Sequence, residues 1–153
     1  MNHDLISNEY NHLMNTAQLE KQTIDLFQIQ LTGHQLEQLE RYESLLQEWN
    51  QKFNLTAISD PEGIQQKHFL DSISTVKVLK KHTIQRLIDV GTGAGFPGLV
   101  IKVLIPEIEL TLVESVGKKV EFCRIVAQTL GLSNVTLITE RAELMGRDPN
   151  HRE

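Results

Sequence analysis

Asp89-Val90-Gly91-Thr92-Gly93-Ala94-Gly95-Phe96-Pro97-Gly98 decides how this chain folds. Its first residues close Arg86-Leu87-Ile88-Asp89-Val90, a short apolar run that reads as a buried strand. After it, Leu99–Ile105 reads as a helix stopped by Pro106, which has no amide hydrogen to donate and collides with the preceding turn. Glycines gathered between a strand and a helix let the backbone turn sharply, and let a ligand approach main-chain atoms with no Cβ in the way. The next helix is then expected to point its first N–H groups at that ligand.

Downstream the alternation continues. Glu109-Leu110-Thr111-Leu112-Val113-Glu114 reads as a second strand, and Lys118–Leu130 as a second helix ended by Gly131. Val135-Thr136-Leu137-Ile138-Thr139 reads as a third strand. Strands separated by helices of this length form right-handed βαβ units in a parallel sheet. Upstream of about residue 84 the pattern is helical instead. Thr32-Gly33-His34-Gln35 fits a capping box, and Leu36, Leu39, Tyr42, Leu45, Leu46, Trp49 and Phe53 follow at helical spacing. Asp60 caps a further helix with Pro61 at its first position, carrying Lys67-His68-Phe69-Leu70-Asp71 and running, with a break, to about Lys81. An earlier helix is expected around Ala17–Gln30, and residues 1–12 are expected to be loose. The expected organisation is an N-terminal helical region, 1–84, and an incomplete βαβ core, 85–153, within one structural domain.

Composition is that of an ordinary globular protein, 40% hydrophobic and 23% charged, which excludes intrinsic disorder. No apolar run approaches the ~20 residues of a membrane helix. Met1-Asn2-His3-Asp4 offers neither a basic nor an apolar export region, and the single cysteine, Cys123, reads as a small buried apolar residue. A reducing, cytoplasmic location is expected. The net charge of −5 argues mildly against nucleic acid, yet Lys77, Lys80, Lys81, His82 and Arg86 stand together with no acid among them. That segment reads as a solvated helix end, and is also the preferred RNA-facing candidate. The histidines are scattered and no metal site is expected.

The chemistry turns on the loop and on Glu114. Glu114 ends the second strand nineteen positions beyond Gly95, where an acid can accept hydrogen bonds from both hydroxyls of an adenosine ribose. Gly93-Ala94-Gly95-Phe96-Pro97-Gly98 also satisfies the dinucleotide fingerprint G-x-G-x-x-G, so the motif by itself admits nicotinamide cofactors as well as S-adenosylmethionine. Asp89, two residues before the first glycine, suits a cationic cofactor better than a pyrophosphate, and the glycine run begins early, at Gly91. His68 and Asp71, three apart on one helical face, read as a mutually bonded pair rather than as catalytic groups. Trp49 could stack on an RNA base, but its place in an apolar stripe reads as core.

Several further motifs resemble one family, the bacterial 16S ribosomal RNA N7-guanine methyltransferases, also called glucose-inhibited division protein B or methyltransferase G. They are Glu48-Trp49-Asn50-Gln51-Lys52-Phe53-Asn54-Leu55-Thr56-Ala57-Ile58, His68-Phe69-Leu70-Asp71-Ser72-Ile73, the loop 89–98, Glu114-Ser115 with Lys118-Lys119, and Arg141-Ala142-Glu143. The resemblance implies a Rossmann-like class I methyltransferase core of α/β type, of which the first three strands are visible. It implies S-adenosylmethionine as cofactor and 16S rRNA or the small ribosomal subunit as partner. It implies Gly91 and Phe96 on the cofactor and Ala142 and Glu143 over its adenine end, while the loop and strand-end pattern puts Gly93, Gly95 and Glu114 in the same site. No catalytic base is expected, because guanine N7 carries a lone pair and no proton. Family members continue past Arg141-Ala142-Glu143 with further strands, so Ile88 and Val90 are expected to face an unpaired edge. Target placement in this type of fold depends on loops after those later strands, so the chain on its own is expected not to methylate rRNA. The alternatives are a small-molecule methyltransferase, a nicotinamide enzyme, or a non-catalytic fragment.

Overall fold

Helices come first and the sheet last, with the change of character falling where the residue pattern changes. The computed structural model describes residues 14–147. In it α1 spans Thr16–Phe27, α2 Gly33–Phe53, α3 Pro61–Gly63 and α4 Asp71–Leu79, the last two joined by a π-helical segment, Ile64–Leu70. Then follow β1 (Arg86–Val90), α5 (Gly98–Leu104), β2 (Glu109–Glu114), α6 (Gly117–Thr129), β3 (Val135–Thr139) and α7 (Ala142–Met145). The expectations for residues 1–12 and for the opening tetrapeptide fall outside the described residues.

Local chemistry explains the helix starts. The Thr32 hydroxyl accepts from the Gln35 amide at 3.1 Å while the Gln35 side chain accepts from the Thr32 amide at 2.9 Å, completing the capping box. Asp60 accepts from the Gly63 amide at 2.6 Å, with Pro61 at the first helical position. Along α2 the stripe members Leu39, Tyr42 and Leu46 are fully buried, and Leu36, Leu45 and Trp49 pack against the same core. One core joins both halves of the chain, with Tyr42 and Ile73 among Leu99, Leu112, Phe122 and Val126. Among the described residues no helix is long and apolar enough to cross a membrane.

The strands pair in the order β1-β2-β3, all parallel, with Leu87 beside Leu110 beside Val135, and Asp89 beside Leu112 beside Leu137. These residues belong to the face that the helices cover. The alternate residues do not. Ile88 and Val90 are 52% and 49% exposed, so β1 is not the buried strand its composition predicts. As expected, β1 is an edge strand, paired only with β2 among the described residues, but these side chains do not face that edge: an edge presents backbone groups, whereas strand side chains stand perpendicular to the sheet. Ile88 lies in register with Thr111 and Thr136, so what is open is the second face of the sheet.

Candidate functional site

The glycine loop leaves β1 and immediately folds back over β2. The amides of Gly91 and Thr92 both donate to the Val113 carbonyl, at 2.8 and 3.1 Å. Asp89 then closes the loop from inside: its Oδ2 accepts from the Thr92 hydroxyl at 2.7 Å and from the Gly98 amide at 2.9 Å. Burial raises the pKa of this carboxyl, against the two hydrogen bonds that favour its charged form. Oδ1 has no donor among the described residues. The first two N–H groups of α5 are not left for a ligand, because Gly98 N–H belongs to Asp89 and Leu99 N–H donates to the Gly95 carbonyl at 2.8 Å.

Glu114 ends β2 with its carboxylate turned to the loop. Oε2 accepts from the Gly93 amide at 2.8 Å, and Oε1 accepts from the amides of Ser115 and Val116 at 2.8 and 3.0 Å. Burial alone raises this pKa, but the amides of Val116, Gly93 and Ser115, with Lys119 nearby, hold it below the usual carboxylate range. It is therefore an anion at neutral pH, with a lone pair of Oε2 still open.

Gly91, Glu114, Glu140, Arg141, Ala142 and Glu143 line one open cavity of about 460 Å³ at the carboxyl ends of the strands. That volume falls within the ~300–1,000 Å³ of small-molecule sites, and its place is where ligands bind open parallel sheets. The two largest depressions, of about 700 and 760 Å³, lie at the amino end of the sheet and on its open face. Neither combines the loop with Glu114.

Gly95 and Phe96 do not line the cavity. Gly95 has φ +96°, and a Cβ there would stand 2.5 Å from both the Tyr42 hydroxyl and Leu99. Phe96 stacks on two rings from the helical region, Tyr42 (centroids 5.0 Å, interplanar angle 1°) and His68 (4.4 Å, 10°). Tyr42, fully buried, donates from its hydroxyl to the Ala94 carbonyl at 2.6 Å. Sequence reading misses this brace, because a Tyr in an apolar stripe gives no sign of where its hydroxyl points.

His68 and Asp71 are not a bonded pair. The imidazole Nε2 lies 2.9 Å from the Thr56 hydroxyl, while Asp71 is exposed. The π-helical turn over Ile64–Leu70 is wider than an α-turn, so residues three apart no longer stack on one face. Burial lowers the His68 pKa, against the pull of Asp71. Cys123 is buried as expected and its thiol is pushed up to about 12, with Sγ 3.5 Å from the Gly93 carbonyl. The basic segment lies at the other end of the sheet: Lys80 and His82 border the depression shared with Glu107 and Glu109. Among the described residues no group of three or more His, Cys, Asp or Glu is placed to hold a metal ion.

A family model described as GidB, rRNA small subunit methyltransferase G, matches residues 35–152. A protein of Roseiflexus castenholzii named ribosomal RNA small subunit methyltransferase G is 50% identical over 125 residues, covering 82% of this chain and 53% of that protein. Proteins of the same name from Alkaliphilus metalliredigens and Lactococcus lactis subsp. cremoris are 46% and 44% identical, over 80% and 82% of this chain and 52% and 53% of their own lengths. The chain thus spans about half the length of the curated relatives it matches. With 118 of its positions inside the family match and all five motifs of the resemblance within it, the chain belongs to the GidB family of rRNA small subunit methyltransferase G proteins.

Proposed function

We propose that the chain supplies the S-adenosylmethionine site, the cavity between Gly91, Glu114 and Ala142-Glu143, of an enzyme that transfers a methyl group to N7 of a guanine in 16S ribosomal RNA within the small ribosomal subunit of the cytoplasm. The observation that carries this reading is the convergence of the loop, an ionised Glu114 and α7 on one cavity.

The donor set fits that cofactor. Glu114, Glu140 and Glu143 face the space against a single Arg141, a field that favours a cationic ligand and opposes a pyrophosphate. The amides that a dinucleotide needs at the start of α5 are already engaged by Asp89 and Gly95, which disfavours the nicotinamide alternative. When bound, the cofactor supplies an electrophilic methyl group on sulfur. Glu114 receives the ribose hydroxyls on Oε2, Ala142 and Glu143 border the adenine end, and Gly93 holds Glu114 in place. Gly95 and Phe96 act on the loop's shape through the stack on Tyr42 and His68. Because guanine N7 has a lone pair and no proton, no side chain need act as a base, and catalysis rests on holding N7 in line with the methyl group.

Titration calorimetry with S-adenosylmethionine tests the reading. Glu114→Gln preserves shape and is expected to weaken binding by about 1.5–3 kcal/mol, the loss of hydrogen bonds to a charged group. Unchanged affinity removes Glu114 from the ribose, and a chain that takes up a nicotinamide dinucleotide in preference to adenosylmethionine overturns the proposal.

A further inference from the structure

We infer that Phe53 and Lys118 form a stacking-and-phosphate contact for single-stranded RNA at the end of the sheet that carries the cofactor cavity; this rests on the proposed function and names where its substrate docks. Phe53 is the last member of the α2 stripe and the one that the core does not cover, 37% exposed. It is held rather than loose: Trp49 lies 5.2 Å from its ring, and Trp49 in turn packs 5.7 Å from Phe122 of α6. Lys118 extends its ammonium over the Phe53 ring, 4.2 Å from the centroid.

Charge points the same way. Lys118 and Lys119 occupy the first turn of α6, where the helix dipole disfavours cations, and that turn contains no acid. Two acids of the neighbouring surface are already paired, Glu48 with Lys52 at 3.4 Å and Glu121 with Arg124 at 3.1 Å, and Glu114, which feels Lys119, spends its oxygens on the amides of Gly93, Ser115 and Val116. Neither Lys118 nor Lys119 has a carboxylate within ion-pair distance among the described residues. An exposed ring beside Lys118, a cation with no carboxylate in ion-pair distance among the described residues, matches the chemistry of single-stranded RNA, whose bases stack on aromatic side chains and whose phosphates attract lysine. A base displaces the Lys118 ammonium from the ring, and the released ammonium reaches the adjoining phosphate.

Position completes the case. Lys118 follows Glu114 by only a short turn, so the pair stands at the end of the sheet that carries the loop and Glu114. The basic segment containing Lys80, Lys81 and Arg86 stands at the opposite end, beside Glu107 and Glu109.

The test measures binding of the full 153-residue chain to a fluorescent, mixed-sequence, single-stranded 12-nucleotide RNA across a salt series. Phe53→Ala is expected to weaken binding roughly 5- to 150-fold, the loss of one base–aromatic stack, with the salt slope unchanged, and Phe53→Trp is expected to restore it. Lys118→Ala is expected to reduce the log–log salt slope by about 0.7, one phosphate contact on a single strand. Lys80→Ala with Lys81→Ala is expected to change affinity less than about twofold. Circular dichroism melting of each variant separates a docking effect from a folding one. Wild-type affinity in Phe53→Ala, an unchanged slope in Lys118→Ala, or no RNA binding by the parent chain overturns the inference. Cofactor calorimetry on the same samples keeps the two readings apart: retained cofactor binding with RNA-indifferent variants sinks only this docking surface, whereas a parent chain without cofactor binding sinks the proposed function.

Discussion

The two ends of the sheet handle buried charge in opposite ways. At the amino end, Lys102 is 1% exposed, and its ammonium donates to the carbonyls of Pro106, at 2.6 Å, and Ile108. Burial lowers its pKa, against the pull of Glu107 and Glu109. That charge ties the end of α5 to the start of β2. At the carboxyl end, Asp89 and Glu114 also bind backbone groups, but each has an oxygen with accepting capacity left over, and Glu114 turns it toward a cavity. The difference shows what separates a structural charge from a site. Both ends carry shifted pKa values and charge-assisted hydrogen bonds, and only unused acceptor capacity next to open space marks the second.

Lys102→Ala tests the structural side and should have the largest effect. It strips a fully packed stem and leaves two carbonyls without their donor, so urea denaturation should show a loss of about 3–5 kcal/mol. A loss under about 1 kcal/mol means that water replaces the ammonium, and the contrast collapses. Gly98→Ala probes the other end, where a Cβ would sit 2.5 Å from Leu112 and 2.8 Å from Asp89 Oδ2. The expected cost is about 1–3 kcal/mol in stability, together with weaker cofactor binding. Stability unchanged from the parent shows that the loop and Asp89 can move apart freely. The smallest effect is expected for Asp89→Asn, and it depends on pH. The folded pKa of Asp89 lies above its unfolded value of 3.8, so the folded chain holds the proton more tightly. Its contribution to stability therefore falls as pH rises from the unfolded value through the raised one, and stays lower beyond. Asparagine removes that fall, so melting temperatures measured from acid to neutral pH should show a flatter profile. An unaltered profile assigns the pH dependence to another group; Glu43, whose carboxyl burial pushes up to about 7, is the next to examine.

The strands were legible because apolar, β-branched runs between Gly, Pro and charged turns leave little choice. Arg86–Val90, Glu109–Glu114 and Val135–Thr139 fall where the pattern places them. The cap at Thr32 and the Asp60-Pro61 start were equally clear, since both are settled within four residues of chain. What escaped depends on distant partners. The π-helical turn at Ile64–Leu70 has no residue signature, and His68 turns to the Thr56 hydroxyl rather than to Asp71. The burial of Lys102 depends on Pro106 and Ile108, whose carbonyls come round to meet it only in the folded chain. In the candidate site, the place of Glu114 beside the loop was readable from spacing, and that of Gly91 from the family resemblance. That Phe96 would turn away from the cavity toward Tyr42 was not, because the choice lies with an element about fifty residues upstream.

The stack of Phe96 on Tyr42 and His68 has a consequence for any attempt to transplant this site. The stretch 86–114 looks like a portable cassette, yet its glycine loop takes its shape from two rings that lie outside it, and the Ala94 carbonyl is anchored by the Tyr42 hydroxyl. A graft that carries the cassette without residues 42 and 68 inherits the glycines but not their template. The boundary near residue 84 is a seam in sequence pattern, and cutting along it separates the loop from its mould.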